Sequence, residues 1–223
     1  MKLTKNEEDY LKALFNLTFE SDGDKAGTNQ LAERLGFSPA SVNGMLKKLK
    51  TKGLVSYKKY GKLELTKDGS TVALQLIRKH RLWETFLYKC MNFGWDEVHI
   101  VAEQLEHIES DKLITELDRF LGYPSTDPHG AIIPDKNGEY KDNPKITLNE
   151  LEEGDECRII AVKDSSVEFL KYVTKIGLEL SSKIKIVERR EFDESSLIEF
   201  NDRQLSVSKK FCENIFVEHL TNN

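Results

Sequence analysis

Four side chains with metal-ligand chemistry, His99, Glu103, Glu106 and His107, recur at helical spacing in a segment that is otherwise apolar (Val98, Val101, Ala102, Leu105, Ile108). At about 100° per residue they fall on an arc of roughly 100° on one helix face. His80 and Glu84, four residues apart, share a face of the preceding helix. A lone histidine on a helix is ordinarily a satisfied structural residue. Six ionisable groups in two such sets are different, because buried carboxylates must be paired or bind a cation. Carboxylates with one or two imidazoles and no thiolate suit Mn(II) or Fe(II) better than zinc or copper. The same groups can hydrolyse or oxidise. An enzyme or metal buffer therefore stays open, although the chain has no nucleophile motif, phosphate loop or dinucleotide fingerprint.

The elements that position these groups belong to a chain of 223 residues, 39% hydrophobic and 32% charged, long enough for one to three domains with real cores. No apolar run approaches the roughly 20 residues that span a bilayer. The amino terminus turns acidic at once, so a secretory leader and a membrane partner are not expected. Three scattered cysteines (Cys90, Cys157, Cys212) without a CxxC exclude a disulfide scaffold or zinc finger and suit a reducing cytoplasm.

Charge is unevenly spread. Residues 1–75 carry 13 Lys/Arg against 9 Asp/Glu, whereas the whole chain stands at −5. Asn43–Lys62 holds seven lysines and no acid. A basic block on an acidic protein points to one polyanion-binding face, or to a solvated lysine face. The local pattern favours the first. Thr4-Lys5-Asn6-Glu7 is a capping box that starts a helix. Thr28 is expected to cap a short helix that Gly36 ends. Ser38-Pro39 starts a third helix, with Val42, Met45, Leu46 and Leu49 inward, stopping at Gly53. Leu54–Tyr57 and Leu63–Thr66 then form a hairpin.

Helix, short helix, turn, helix and hairpin make a winged helix-turn-helix, whose second paired helix enters the DNA major groove by its first residues. Here those are Ser38, Pro39, Ala40, Ser41 and Asn43. Asn43 suits a base edge, and Pro39 and Ala40 suit thymine methyls. Lys47 and Lys48 on the helix, with Lys58, Lys59 and Lys62 on the wing, suit phosphates. The partner expected is double-stranded operator DNA.

At this point the chain resembles the diphtheria-toxin-repressor family of metal-dependent regulators, which includes iron-dependent and manganese-transport repressors. The resemblance covers nearly the whole chain. It rests on Glu8-Asp9-Tyr10-Leu11, Ser38–Val42, Arg78-Lys79-His80-Arg81-Leu82, Val98–His107, Asp127-Pro128-His129-Gly130 and Ile133-Pro134. It implies a primary, activating metal site of Asp9, Glu103, Glu106 and His107 and an ancillary site of His80, Glu84 and His99. Iron-responsive members have methionine at the position of Asp9 and cysteine at that of Glu103, so the carboxylates here imply Mn(II), with Fe(II) as the other activating ion. Short manganese-type members carry a second carboxylate one turn after Asp9. This chain has Lys12, which implies two separate sites rather than a bridged pair. The family also implies a homodimer that represses metal-homeostasis genes and is not an enzyme. Its interface is expected on helices from about Thr85 to Leu121, including Trp95, Leu113, Leu117 and Phe120.

Four of five prolines lie between Pro124 and Pro144, which reads as a linker with His129 as a loop residue. Beyond it, strands are expected at Cys157–Val162, Lys183–Val187, Leu197–Phe200, Gln204–Val207 and Ile215–Val217, with a helix over Ser166–Ile176. This is similar to the small Src-homology-3-like (FeoA-like) barrel of longer family members, which can lend the ancillary site two side chains. The matching positions are Asp164 or Ser165, and Glu168. The expected fold is mainly α with a β carboxy-terminal domain. It comprises a winged helix-turn-helix (1–73), a helical metal-binding and dimerisation domain (74–123), a linker (124–146) and a β-barrel (147–219).

Overall fold

The Thr4 hydroxyl accepts the Glu7 amide, and the Glu7 carboxylate accepts the Thr4 amide at 2.9 Å; this reciprocal cap starts α1 (Lys5–Phe15). In the computed structural model, which describes residues 2–20, 27–57, 63–139, 145–163 and 165–220, the chain forms two units. One comprises residues 1–80, 104–111 and 134–140; the other comprises 81–103, 112–133 and 141–223.

In the first unit, α2 (Thr28–Leu35) ends at Gly36, whose φ of 68° only glycine adopts at little cost. Thr28 is not its cap as expected: Gly27 holds that place, with its amide donating to the Gln30 side chain at 3.0 Å. Ser38 caps α3 (Pro39–Thr51) by accepting the Ser41 amide. A hairpin of β1 (Val55–Tyr57) and β2 (Leu63–Leu65) follows, with Ser56 opposite Glu64. Then comes α4 (Lys67–Cys90), whose first half belongs to this unit. The core is built from Leu11, Leu14 and Phe15 of α1, Leu31 of α2, Val42, Leu46 and Leu49 of α3, Leu63 of β2, and Ile77. Met45 is only partly buried beside it. Gly69 lets α4 start against the hairpin, since a Cβ there would lie 2.0 Å from the Leu54 carbonyl. The wing lysines Lys58, Lys59 and Lys62 lie outside the described residues.

The second unit holds the rest of α4, most of α5 (Val98–Leu105) and of α6 (Asp111–Phe120), and a six-stranded antiparallel sheet. The strands are β3 (Ile146–Thr147), β4 (Glu156–Val162), β5 (Lys183–Arg189), β6 (Ser196–Phe200), β7 (Arg203–Val207) and β8 (Ile215–His219). Their order is β3-β8-β4-β5-β6-β7. α7 (Val167–Ile176) is capped by Ser166 and ended by Gly177, and buries Leu170 and Val173 against the sheet; α8 (Lys209–Glu213) buries Phe211 and Cys212. The alternating burial of β6, in which Ser196, Ile198 and Phe200 point inward, is what a half-covered antiparallel strand requires.

Two expectations are corrected here. Trp95 does not lie on an outer helical face but packs in the core of the sheet domain, where its indole N–H donates to Thr174 Oγ1 at 2.6 Å. The proline-rich stretch is not a loose linker over its first part. Thr126 bridges Ile132, and the Asp127 carboxylate accepts the amides of His129 and Ala131. Gly130, at φ 80°, presses so near β4 that a Cβ would lie 2.1 Å from the Ile160 carbonyl. Prolines exclude helix and strand here, but they do not exclude a buried loop.

Candidate metal centre

α5 stops at Leu105, so Glu106 and His107 occupy the turn after it rather than a continuing helical stripe. That turn carries Glu106 fully into the interior, at 0% exposure. His107 Nδ1 lies 2.6 Å from Glu8 Oε2 on α1. A carboxylate accepts, so Nδ1 is the donor of this contact and Nε2 is the ring nitrogen turned toward Asp9 and Glu106. Nε2 in turn lies 3.0 Å from Asp9 Oδ1 and 3.7 Å from Glu106 Oε1. Neither Nε2 nor Glu106 Oε1 has a hydrogen-bond partner among the described residues, and both are buried. Three acceptor atoms of Asp9, Glu106 and His107 thus converge within 4.8 Å. Carboxylate oxygen with imidazole nitrogen is a donor set that could hold a divalent ion.

The other oxygen of Glu106 is fully engaged. Oε2 accepts from Lys12 Nζ at 2.7 Å and from His80 Nδ1 at 2.5 Å. Lys12 Nζ is also 3.1 Å from His80 Nδ1. On the same helix, Glu7 binds Lys52 Nζ at 2.7 Å, which joins the start of α1 to the end of α3. The Lys52 ammonium beside it holds the Glu7 carboxyl below its ordinary range.

The second unit gathers a different cluster. Glu84, Asp127 and His129, all buried, offer one ligand atom each within 4.8 Å. His129 Nε2 donates to the Trp95 carbonyl at 2.7 Å, so its Nδ1 lone pair faces Glu84 Oε2 at 3.9 Å. Burial pushes the Asp127 carboxyl up, the Glu84 charge adds to this, and Arg81 and His129 pull it back. His99 Nδ1 lies 3.2 Å from Glu84 Oε1, and its Nε2 lies 3.5 Å from Glu103 Oε1.

Of the nine expected ligands, the structure thus brings Asp9, Glu106 and His107 together in one unit and Glu84 and His99 in the other, where Glu103 sits beside His99. His80 in the first unit meets Glu106 and Lys12. Glu168 lies exposed in the first turn of α7, and Asp164 falls outside the described residues. Sequence reasoning missed Glu8, Lys12 and Asp127 and read His129 as a plain loop residue. The Asp-x-His-Gly spacing was the available signal for the last two, because an aspartate that caps its own turn draws the loop inward.

On α3, Ser38, Pro39, Ala40, Ser41, Asn43, Lys47 and Lys48 are all exposed, while Val42, Leu46 and Leu49 are buried. The polar and basic face is therefore continuous. Phe37, half-exposed, stacks on Tyr10 of α1 at 6.1 Å.

Residues 2–63 match the family described as the iron dependent repressor, N-terminal DNA binding domain. Residues 66–135 match its metal binding and dimerisation domain, and residues 146–219 match the FeoA domain. The iron-dependent repressor IdeR of Mycobacterium tuberculosis is 33% identical over 60% of this chain, and the match spans only 57% of that relative's length. A solved manganese-dependent transcriptional repressor in complex with manganese is 34% identical, with a TM-score of 0.87 over 96% of this chain and 100% of that one. The manganese regulator SloR is 35% identical, with a TM-score of 0.80 over 98% and 100%.

Proposed function

We propose, from the premise that this chain belongs to the iron-dependent repressor family, that it is a manganese-activated repressor that binds operator DNA as a homodimer in the cytoplasm and controls metal-homeostasis genes. Fe(II) is the alternative activating ion. The observation that carries this reading is the convergence of Asp9, Glu106 and His107 in the same unit as the exposed basic helix α3. We assign the chain no catalytic activity. The metal ligands we propose are Asp9, Glu106 and His107 in the activating site, and Glu84, His99, Asp127 and His129 in the ancillary one, with Glu103 beside His99. His80 supports Glu106 by hydrogen bond.

The mechanism follows from what these residues do. Asp9 and Glu106 bring two like charges to the junction between α1 and the turn after α5, which the Lys12–Glu106 and Glu8–His107 contacts also join. Asp9, Glu106 and His107 would hold a divalent ion whose positive charge would offset this repulsion, and at a hundred times its dissociation constant the bound form would be favoured by about 2.7 kcal/mol. Glu8 holds the His107 ring in the tautomer that presents Nε2. Because α1 shares its core with α3, and Glu7 grips Lys52 at the end of α3, fixing α1 fixes the reading helix. In a two-fold dimer, two reading helices held near 34 Å apart match one turn of DNA. Exposed Leu113 and Phe120 on α6 supply apolar surface for that dimer.

Glu106→Ala tests the reading. It should leave the fold intact, judged by circular dichroism, and abolish Mn(II)-stimulated DNA binding. Retained stimulation would refute the site.

A further inference from the structure

The turn into the reading helix carries one residue that the contacts expected of α3 leave out. Among the described residues of the first unit, Phe37 is the only large apolar side chain that stands exposed, at 48%. A single exposed apolar side chain is ordinary on a protein surface, so its placement has to decide. This one falls immediately before Ser38, the cap of α3, and so at the end of the helix that enters the major groove in a winged helix. Its backbone is fixed on both sides. Gly36 closes α2 at φ 68°, the Phe37 amide donates to the Ala32 carbonyl at 3.0 Å, and Ser38 begins the next helix. The ring is fixed as well, stacked on Tyr10 of α1 with centroids 6.1 Å apart and planes 11° from parallel. Tyr10 is buried, so the exposed half of the Phe37 ring lies away from it.

We infer that Phe37 is a specificity-determining residue that reads the C5-methyl of a thymine in the operator, beside the bases met by the first turn of α3; the inference rests on the DNA-binding reading proposed above. The chemistry is restrictive. A phenyl ring has no hydrogen-bonding group, so it cannot tell bases apart by their donors and acceptors. The thymine methyl is the apolar feature of the major groove, and an aromatic ring can bury it. A phosphate would gain nothing from such a ring, which separates Phe37 from Lys47 and Lys48 on the same face. Stacking on Tyr10 also removes the rotamer freedom that an exposed phenylalanine would otherwise lose on binding, so the contact is prepared before DNA arrives.

The test uses the full-length protein with saturating Mn(II) and duplexes carrying the DNA sequence that Mn(II) enriches from genomic fragments. Each thymine of one half-site is replaced in turn by uracil, which lacks only the methyl. Burying one methyl group is worth about fourfold in affinity, so the parent should lose about that much, by fluorescence anisotropy, at each contacted thymine. In Phe37→Ala the loss should vanish at one thymine and persist at those facing Pro39 and Ala40, with the number of bound Mn(II) ions unchanged. A Phe37→Ala protein that keeps every uracil penalty, whether or not its overall affinity falls, would overturn the inference, because the ring would then only support the turn. If Phe37→Ala fails to fold, Phe37→Gln, which keeps bulk over Tyr10 without an apolar ring, decides by the same comparison. A parent protein that binds no DNA with Mn(II) present would instead remove the DNA-binding reading, and the inference with it.

Discussion

Glu8 touches no candidate ligand atom of the activating cluster, yet its loss should weaken the metal centre. Its carboxylate accepts the His107 Nδ1 proton at 2.6 Å and is itself only 20% exposed, so water substitutes for it poorly. Outer carboxylates that orient a ligating imidazole are worth about 10–100-fold in metal affinity, which is roughly 1.4–2.7 kcal/mol. Glu8→Ala should therefore move the Mn(II) midpoint of DNA binding upward by one to two decades. At saturating Mn(II) the DNA affinity should return to the parental value, because no DNA-facing group has changed. Glu8→Gln keeps an acceptor oxygen but loses the charge, so its midpoint should fall between the two. The assay is fluorescence anisotropy of labelled operator across a buffered Mn(II) series. An unshifted midpoint in Glu8→Ala would refute the reasoning, and so would a loss of affinity that saturating metal does not restore.

Other consequences reach further from the centre. Because Lys52 depresses the Glu7 carboxyl, the pair stabilises the fold above the ordinary glutamate range near 4.5 and loses that contribution as pH falls through the depressed value. The stability gap between the parent and Glu7→Gln in urea melts should therefore be full at pH 6 and close in strong acid. His129→Ala should lower bound Mn(II) by one per chain while leaving the ion that depends on His107, as counted by dialysis of single and double variants. Lys47→Ala should weaken binding to all DNA sequences alike and reduce the salt slope by about one, whereas Asn43→Ala should cost about 1–3 kcal/mol at a single base position and relax preference there.

Local signals carried the fold well. The capping box at Thr4, Ser38-Pro39 before α3, and Gly177 after α7 are short-range devices whose physics is complete within a few residues, and each stands where the sequence puts it. What failed was inference across an element's end. The helical wheel carried Glu106 and His107 along the His99 stripe, but α5 ends at Leu105 and the turn drives Glu106 into a different interior. Lys12 registered in the sequence only as a missing carboxylate. Its role needs α1 packed against the Glu106 turn, a contact 94 residues apart in the chain. Asp127 and His129 were hidden by their prolines, because composition reports what a segment cannot form and not whether it is buried.

The central claim is that a divalent ion at Asp9, Glu106 and His107 switches DNA binding on. The most direct test is selection of genomic DNA fragments by the chelator-treated protein with and without Mn(II). The account predicts enrichment of a short inverted repeat only when Mn(II) is present. Equal enrichment in both conditions, or none in either, would contradict it.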